Sequence, residues 1–350
     1  MQTAANARRK FLKKYLAEYS DCKIKAETLE RFLKGILQGS QIEIHKIEAR
    51  AKDPTSVHLK LLRKRYRHPQ TQLTDKVGGR IITYYSSDVD RVVDLLRPHL
   101  EIDPRKSVDK RMMLGLRGFG YSSVHIIARL RGNEAKKSAY ACLDGVWFEI
   151  QVRSILEHAW AEVEHEIVFK SGIQHPDTVI RRFAAIAGTL EVLSTEFTSL
   201  KYERQKSIET FRQRYADGLD LQSGFDSVRL LGFLENEFPA NPSWRWSEET
   251  GQPFPPKIEA TCVAALKQCG LGSAKSLKPF LKRKAYRQAI KSFATTELKK
   301  VEEISHLALV AIAIALRSER ILKDYFPGMA ESAGMAAVQL CLKRSVHNSP

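Results

Sequence analysis

The sequence has no long apolar run. Its longest, Leu307 to Leu316, is ten residues, and a membrane-spanning helix needs about 20, so no helical membrane protein is expected. Cysteine is scarce and odd in number. Cys22, Cys142, Cys262, Cys269 and Cys341 are scattered without a CxxC spacing, which predicts neither a disulfide framework nor a structural zinc and fits a reducing compartment. The opening MQTAANARRKFLKKYL carries basic residues with no apolar block behind them, so a secretory signal is not expected. These absences together predict a cytoplasmic globular protein.

Acidic residues are the other shortage. Forty Asp plus Glu face 57 Lys plus Arg, leaving a formal charge of +17. Such a surplus attracts polyanions (nucleotides, RNA, DNA or anionic lipid) but says nothing about fold. It is also uneven: residues 257–300 hold eleven Lys or Arg against Glu259 and Glu297 alone. A solvated helical face and a nucleic-acid contact both fit that stretch. With 43% hydrophobic residues the chain is too apolar for whole-chain disorder. Its 350 residues suggest two domains, or one with a long appendage.

Helical spacing runs through residues 3–37, closed by Gly39-Ser40. Ile42 to Ile47 reads as a strand, Asp53-Pro54-Thr55 as a helix entrance, and Lys76 to Tyr85 as a buried strand. Ser86-Ser87-Asp88 predicts a capped helix stopped by Pro98. Strands are predicted at Ser123 to Leu130, Trp147 to Val152 and, more weakly, Ser138 to Cys142. A helix follows from about Ser154 to Phe169, and helical patterns continue to about Tyr215. Phe238 to Pro256, with five prolines, reads as a linker before a basic helical tail. In that tail a helix near 276–293 would start at Ser276 and place Lys278, Lys282 and Arg283 on one side. The class is α/β (α+β), a mixed β-sheet flanked by helices followed by a mostly helical C-terminal region. The boundaries expected are an N-terminal helical segment (1–39), an α/β domain (40–215), a linker region (216–256) and the basic helical extension (257–350).

Several constellations invite chemistry. Gly115 to Gly120 (GLRGFG) precedes a strand-like stretch rather than a helix, which argues against a dinucleotide loop. Asp88 and Asp90 stand at a helix start, where acids cap. His158, Glu162 and His165 share one helix face and could ligate a metal, but no further ligand is evident, and structural or substrate contact fits better. Asp75, just before a strand, and Glu149, inside one, are more telling, because a buried carboxylate is costly unless paired, solvated or metal-bound. The stretch 104–120 adds Arg105, Lys106, Lys110, Arg111 and Arg117 in an irregular basic loop. Acids and cations together make a good phosphate-and-Mg²⁺ site.

The residues DKVGGRII (from Asp75), GYSSVH (from Gly120), EIQVR (from Glu149), HAWAEVEH (from His158) and Phe169-Lys170 resemble the synthetase domain of the RelA/SpoT alarmone synthetases in order and spacing, across roughly residues 40–172. No phosphohydrolase motif is expected before it, and the chain is similar to the small, single-domain members with a helical extension. The resemblance implies a nucleotidyltransferase-like synthetase domain that transfers the β,γ-pyrophosphate of ATP to the 3′-hydroxyl of GDP or GTP. By motif, Arg50 and Arg80 would stack on the adenine, and Lys52, Ser56 and Lys60 would lie along the ATP phosphates. Asp75 would hold Mg²⁺, and Glu149 would share the metal or take the hydroxyl proton. Tyr121 would stack on the acceptor base, with Arg117, His125 and Gln151 near acceptor or transferred phosphates. Phe119 stands where many members have Asn, which leaves open a toxin-type synthetase acting on a tRNA 3′ end or an adenine nucleotide; a catalytically inactive, RNA-binding protein on the same scaffold is a separate alternative. RNA at the basic extension and a homo-oligomer are further partners to be tested.

Overall fold

In a computed structural model the described residues are 2–38, 40, 42–113, 123–169, 176–241, 258–297 and 304–347. The chain divides into two compact units, Met1–Ser199 and Leu200–Pro350. The division falls inside a helix, Asp177–Ala216, rather than at the proline-rich stretch, most of which lies outside the described residues.

The first unit is built on a six-stranded mixed sheet of order β1-β2-β6-β5-β3, with β4 paired to β5. The strands are β1 (Ile44–Ala51), β2 (Val77–Thr83), β3 (Leu100–Ile102), β4 (Val108–Asp109), β5 (Val124–Leu130) and β6 (Phe148–Ser154). β2 and β6 run parallel at the centre and the other pairs are antiparallel. Side chains alternate between the two faces. Val77, Ile81, Phe148, Ile150, Val152 and Ile126 point to one face and are buried. Helices α1 (Gln2–Ala17) and α2 (Tyr19–Leu37) precede the sheet, and α2 packs on that apolar face through Leu29 and Leu33. The approach is close enough that a Cβ on Gly79 would lie 2.9 Å from Leu33 Cδ1. The opposite face carries Glu48, Arg50, Gly78, Arg80, Glu149, Gln151 and His125, and it is this face that holds the site.

Local chemistry sets the helices around that face. α3 (Pro54–Lys64) starts where Asp53 accepts from the backbone N–H groups of Thr55 and Ser56, at 2.9 and 3.1 Å, with Pro54 in the first turn. α4 (Ser87–Leu96) follows β2. Two of its acids hold arginines at short range: Asp88 takes Arg91 at 2.8 Å and Asp90 takes Arg111 at 2.6 Å. α5 (Ile155–Glu164) begins in a capping box between Ser154 and Glu157. Ser138–Leu143 is a short 3₁₀ turn, not the strand its alternation suggested. Bonds from Tyr140 N–H to the Lys137 carbonyl and from Asp144 N–H to that of Ala141 close it locally. Tyr140 then meets Phe32 edge-on.

The second unit is all helix among its described residues. It takes in the end of α6 (Asp177–Ala216), then α7 (Ser227–Glu237), α8 (Ile258–Gln268), α9 (Ala274–Leu281), α10 (Lys284–Thr296), α11 (His306–Arg317), α12 (Glu319–Tyr325) and α13 (Ala333–His347). α11 is the apolar run noted above, and every residue from His306 to Ala315 is buried; it is the centre of a core, and no helix of the described residues is long and apolar enough to cross a membrane. α7, within the expected linker, buries Leu230, Leu231, Phe233 and Leu234 in the same core. The tail helix starts three residues earlier than expected. Ser273 is the cap and Ser276 its reciprocal partner, so Pro279 sits late in α9, and the chain breaks at Lys282-Arg283 before α10. Lys278 is therefore not part of one long cationic face.

Candidate active site

Three strands form the floor of a cleft of about 190 Å³ on the polar face. Strand register puts Arg50, Gly78 and Glu149 in one row across β1, β2 and β6, and Glu48, Arg80, Gln151 and His125 in the next, which extends to β5. Gly78 leaves the middle of the first row bare. Lys52 and Asp75 line the cleft as well, because they sit just past the end of β1 and just before the start of β2. The Lys52 N–H donates to the Lys76 carbonyl at 2.9 Å and so joins the two segments.

Asp75 is the charge centre on this side. Lys52 Nζ and Lys60 Nζ both donate to its Oδ2, at 2.8 and 2.6 Å. Its Oδ1 is buried with no hydrogen-bond partner among the described residues. Lys60 reaches Asp75 from α3, and Ser56, one turn earlier on the same helix face, is exposed at the helix start. Arg50 is exposed at the rim. Arg80 is held by Glu48 at 3.2 Å and by Glu162 of α5 at 3.0 Å. Glu162 also accepts from the buried Arg153 at 3.3 Å and lies 3.6 Å from His158. That acid is therefore engaged by arginines, and no group of three or more metal-binding side chains occurs among the described residues.

Glu149 faces the cleft from β6. Burial by itself would raise its carboxyl, but hydrogen bonds from His125 Nδ1 (2.6 Å) and Gln151 Nε2 (3.0 Å), with the charges of His125 and Lys60, outweigh burial and hold it at about 2. The structure thus brings together Arg50, Lys52, Asp75, Arg80, Glu149 and Gln151 around one cleft, with Lys60 and His125 bonded to its acids. Arg117 and Tyr121, like Phe119, lie outside the described residues.

Three residues to which the motifs gave no role, Lys110, Glu164 and Tyr15, adjoin the site. The Lys110 amine is pushed below its ordinary range by burial, opposed by the charges of Glu149 and Glu164. Glu164 is raised by burial and lowered by Lys110. Tyr15, almost fully buried on α1, donates its hydroxyl to the Lys52 carbonyl at 2.5 Å. In the sequence it belongs to an apolar set at helical spacing, with Phe11, Leu12, Leu16 and Tyr19. A tyrosine in such a stripe carries a polar tip that needs a partner when buried, and that was the available signal.

The profile of the region found in RelA/SpoT proteins matches residues 49–174, the stretch that contains this cleft. Residues 49–174 are a RelA/SpoT region. The GTP pyrophosphokinase YwaC of Bacillus subtilis is 27% identical over 164 residues, 46% of this chain and 75% of that protein. The small alarmone synthetase 2 of Bacillus subtilis is 26% identical in a superposition covering 54% of this chain and 98% of that one, with a TM-score of 0.45. The small alarmone synthetase 1 of the same species, bound to its product pppGpp, is 22% identical, covering 55% and 96%, with a TM-score of 0.43. The RelA/SpoT match ends well before the second unit begins.

Proposed function

We propose that this chain is a pyrophosphokinase that moves the β,γ-pyrophosphate of ATP to the 3′-hydroxyl of GDP or GTP. The observation that carries the reading is the pair of strand-borne carboxylates on one cleft, Asp75 and Glu149, faced by Lys52, Lys60, Arg50 and Arg80 inside a RelA/SpoT region. Transfer of this kind asks a protein mainly to position phosphates and neutralise charge. The acceptor oxygen forms a bond to the β-phosphorus as the bond from that phosphorus to the α,β-bridging oxygen breaks. AMP leaves, and the hydroxyl proton goes to a base or to solvent.

Each side chain has a physical task in this scheme. Lys52 and Lys60 bind the triphosphate, Ser56 lies along the same helix face, and Arg50 and Arg80 stack on the adenine with planar guanidinium groups, a task for which Lys is poorly shaped. Glu48 and Glu162 hold Arg80 in place. On the acceptor side His125 and Gln151 fix Glu149 and face the incoming nucleotide, with Tyr121 and Arg117 assigned to the acceptor base and phosphates. The donor set suits Mg²⁺: the unpartnered Asp75 Oδ1 and the fully ionised Glu149 are hard oxygen ligands, and Mg²⁺ is ordinarily held by one or two carboxylates plus substrate phosphates. Asp75 and Glu149 would hold it, and when bound it would neutralise charge on the transferred group. A carboxyl held at about 2 is a weak base, which favours the metal-holding role of Glu149 over that of proton acceptor.

The test is incubation with γ-labelled ATP, Mg²⁺ and, separately, GDP, GTP, AMP or deacylated tRNA. The expected outcome is AMP release matched by labelled guanosine 3′-pyrophosphate. Label that enters only AMP or tRNA, or no AMP release with either guanine nucleotide, would overturn the assignment.

A further inference from the structure

The second unit carries a feature that the nucleotide cleft does not explain. At the turn from α9 to α10 and along the outer side of α10 stand Lys282, Arg283, Lys284, Arg287 and Lys291, all exposed. Lys284, Arg287 and Lys291 recur at three and four residues, so they share one helix face and span roughly 10 Å of its axis. The nearby acids are engaged elsewhere. Glu259 accepts from Arg204 at 2.8 Å, Glu297 accepts from the Gly334 N–H at 2.9 Å, and Glu237 holds Lys278 at 3.1 Å. Among the described residues no carboxylate pairs with any of the five cations. Arg283 lies over the Phe280 ring, 5.0 Å from its centroid. Five like charges held side by side repel one another and would be relieved by a polyanion.

The surroundings narrow the partner. The apolar side of α10 (Tyr286, Ala289, Ile290, Phe293 and Ala294) is buried in the core of the unit. It therefore has no apolar face to lay into a lipid surface, which an interfacial helix requires. Between the cations the outward positions are Ala285 and Gln288. A protein-binding patch is instead centred on aromatic and other apolar side chains and is poor in Lys. With only Ala285 and Gln288 exposed between the cations, the strip can contact phosphates but has little with which to read base edges, and a flexible single strand can bring its phosphates to such a line of charges. We propose that Lys282, Arg283, Lys284, Arg287 and Lys291 form a binding strip for the sugar-phosphate backbone of single-stranded RNA, with no base preference of its own.

The experiment is fluorescence anisotropy with the full chain and a dye-labelled 20-nucleotide oligouridine. Five phosphate contacts on a single strand predict that affinity falls on the order of a hundredfold between about 50 and 200 mM salt. The triple variant Lys284→Glu, Arg287→Glu, Lys291→Glu should bind far more weakly at 50 mM salt and lose roughly two units of the logarithmic salt slope. The neutral triple Lys284→Gln, Arg287→Gln, Lys291→Gln should lose the same slope, and it decides the matter if circular dichroism shows that charge reversal disturbs folding. Lys278→Gln should leave binding unchanged, because that lysine is engaged with Glu237 and the Tyr215 ring. No binding by the unaltered chain at 50 mM salt, or a wild-type salt slope in both triple variants, would overturn the proposal. So would tighter binding to duplex DNA, to phosphatidylserine vesicles or to polyglutamate than to the oligouridine.

Discussion

Glu149→Gln, examined as a function of pH, tests whether the cleft holds this carboxylate as the structure says. The carboxyl lies at about 2 in the folded chain against an ordinary 4.5. A drop of that size contributes on the order of 3 kcal/mol, at about 1.4 kcal/mol per tenfold change in proton affinity. The sign follows from which state takes the proton first. As pH falls the unfolded carboxyl protonates near 4.5, while the folded one stays ionised toward 2. The contribution is therefore complete above about pH 5 and is lost between about 4.5 and 2. The Gln variant has no such titration, and its stability should fall less steeply across that window. The assay is amide hydrogen exchange without Mg²⁺, read on peptides spanning β2 and β6, wild type against variant at each pH from 6 to 2. The wild-type advantage should shrink by roughly two powers of ten in protection factor, the exchange equivalent of about 3 kcal/mol. Parallel loss of protection in both proteins would refute the account of Glu149 as held ionised by His125 and Gln151.

Three further outcomes follow from other parts of the first unit. Asp75→Asn should abolish pyrophosphate transfer while leaving the fold intact, and even a tenth of wild-type turnover, a loss of only about 1.4 kcal/mol, would remove Asp75 from the chemistry. Tyr15→Phe deletes the hydroxyl bonded to the Lys52 carbonyl; it should cost about 1 kcal/mol in thermal unfolding and raise KM for ATP more than KM for the acceptor, and equal changes in both would place its effect outside the ATP side. Leu33→Ala empties a fully buried site over Gly79 and should lower stability by about 2–5 kcal/mol in urea unfolding, whereas a loss under about 1 kcal/mol would mean that α2 does not seat on the sheet as described.

Local signals carried most of the first unit. Asp53-Pro54 marked the start of α3, and the structure shows the cap made by the Asp53 side chain. β2 and β6 were legible because buried central strands read as apolar runs broken only by the residues that face the cleft. Ser273 and Ser276 show where local reading stops. The two serines satisfy one another's backbone and side-chain groups in a single capping box, so either could begin the helix on sequence grounds, and only packing of Ala274 and Leu277 into the core decides. Ser138 to Cys142 alternates like a strand, but it has no β-branched residue and its own backbone bonds close first. Lys278 could not be separated from its basic neighbours, because its partner Glu237 is forty-one positions away and beyond the undescribed stretch 242–257. The cleft acids were legible for a different reason. A carboxylate in or beside a buried strand is conspicuous by its cost, whereas the tyrosine that steadies the Lys52 carbonyl is hidden in an ordinary apolar stripe.

The arrangement around Asp75 also bears on how ATP would be received. Two ammonium groups share one carboxylate oxygen, Oδ2, and leave Oδ1 buried and, among the described residues, unpartnered. One carboxylate can neutralise only one of the two lysines, so the cluster keeps a positive charge before any nucleotide arrives. In the proposed reaction that surplus draws the triphosphate, and Lys52 and Lys60 exchange a shared carboxylate for phosphate oxygens, a swap of one anionic partner for another in the same place. The exchange would free Oδ2, so that Asp75 could offer both oxygens to a Mg²⁺ ion that the phosphates would also ligate. On the proposal that Asp75 holds Mg²⁺, binding of the donor and completion of that cation site would be one event. Lys60 is the residue on which they meet, because it touches Asp75 directly and its charge also helps hold Glu149 ionised.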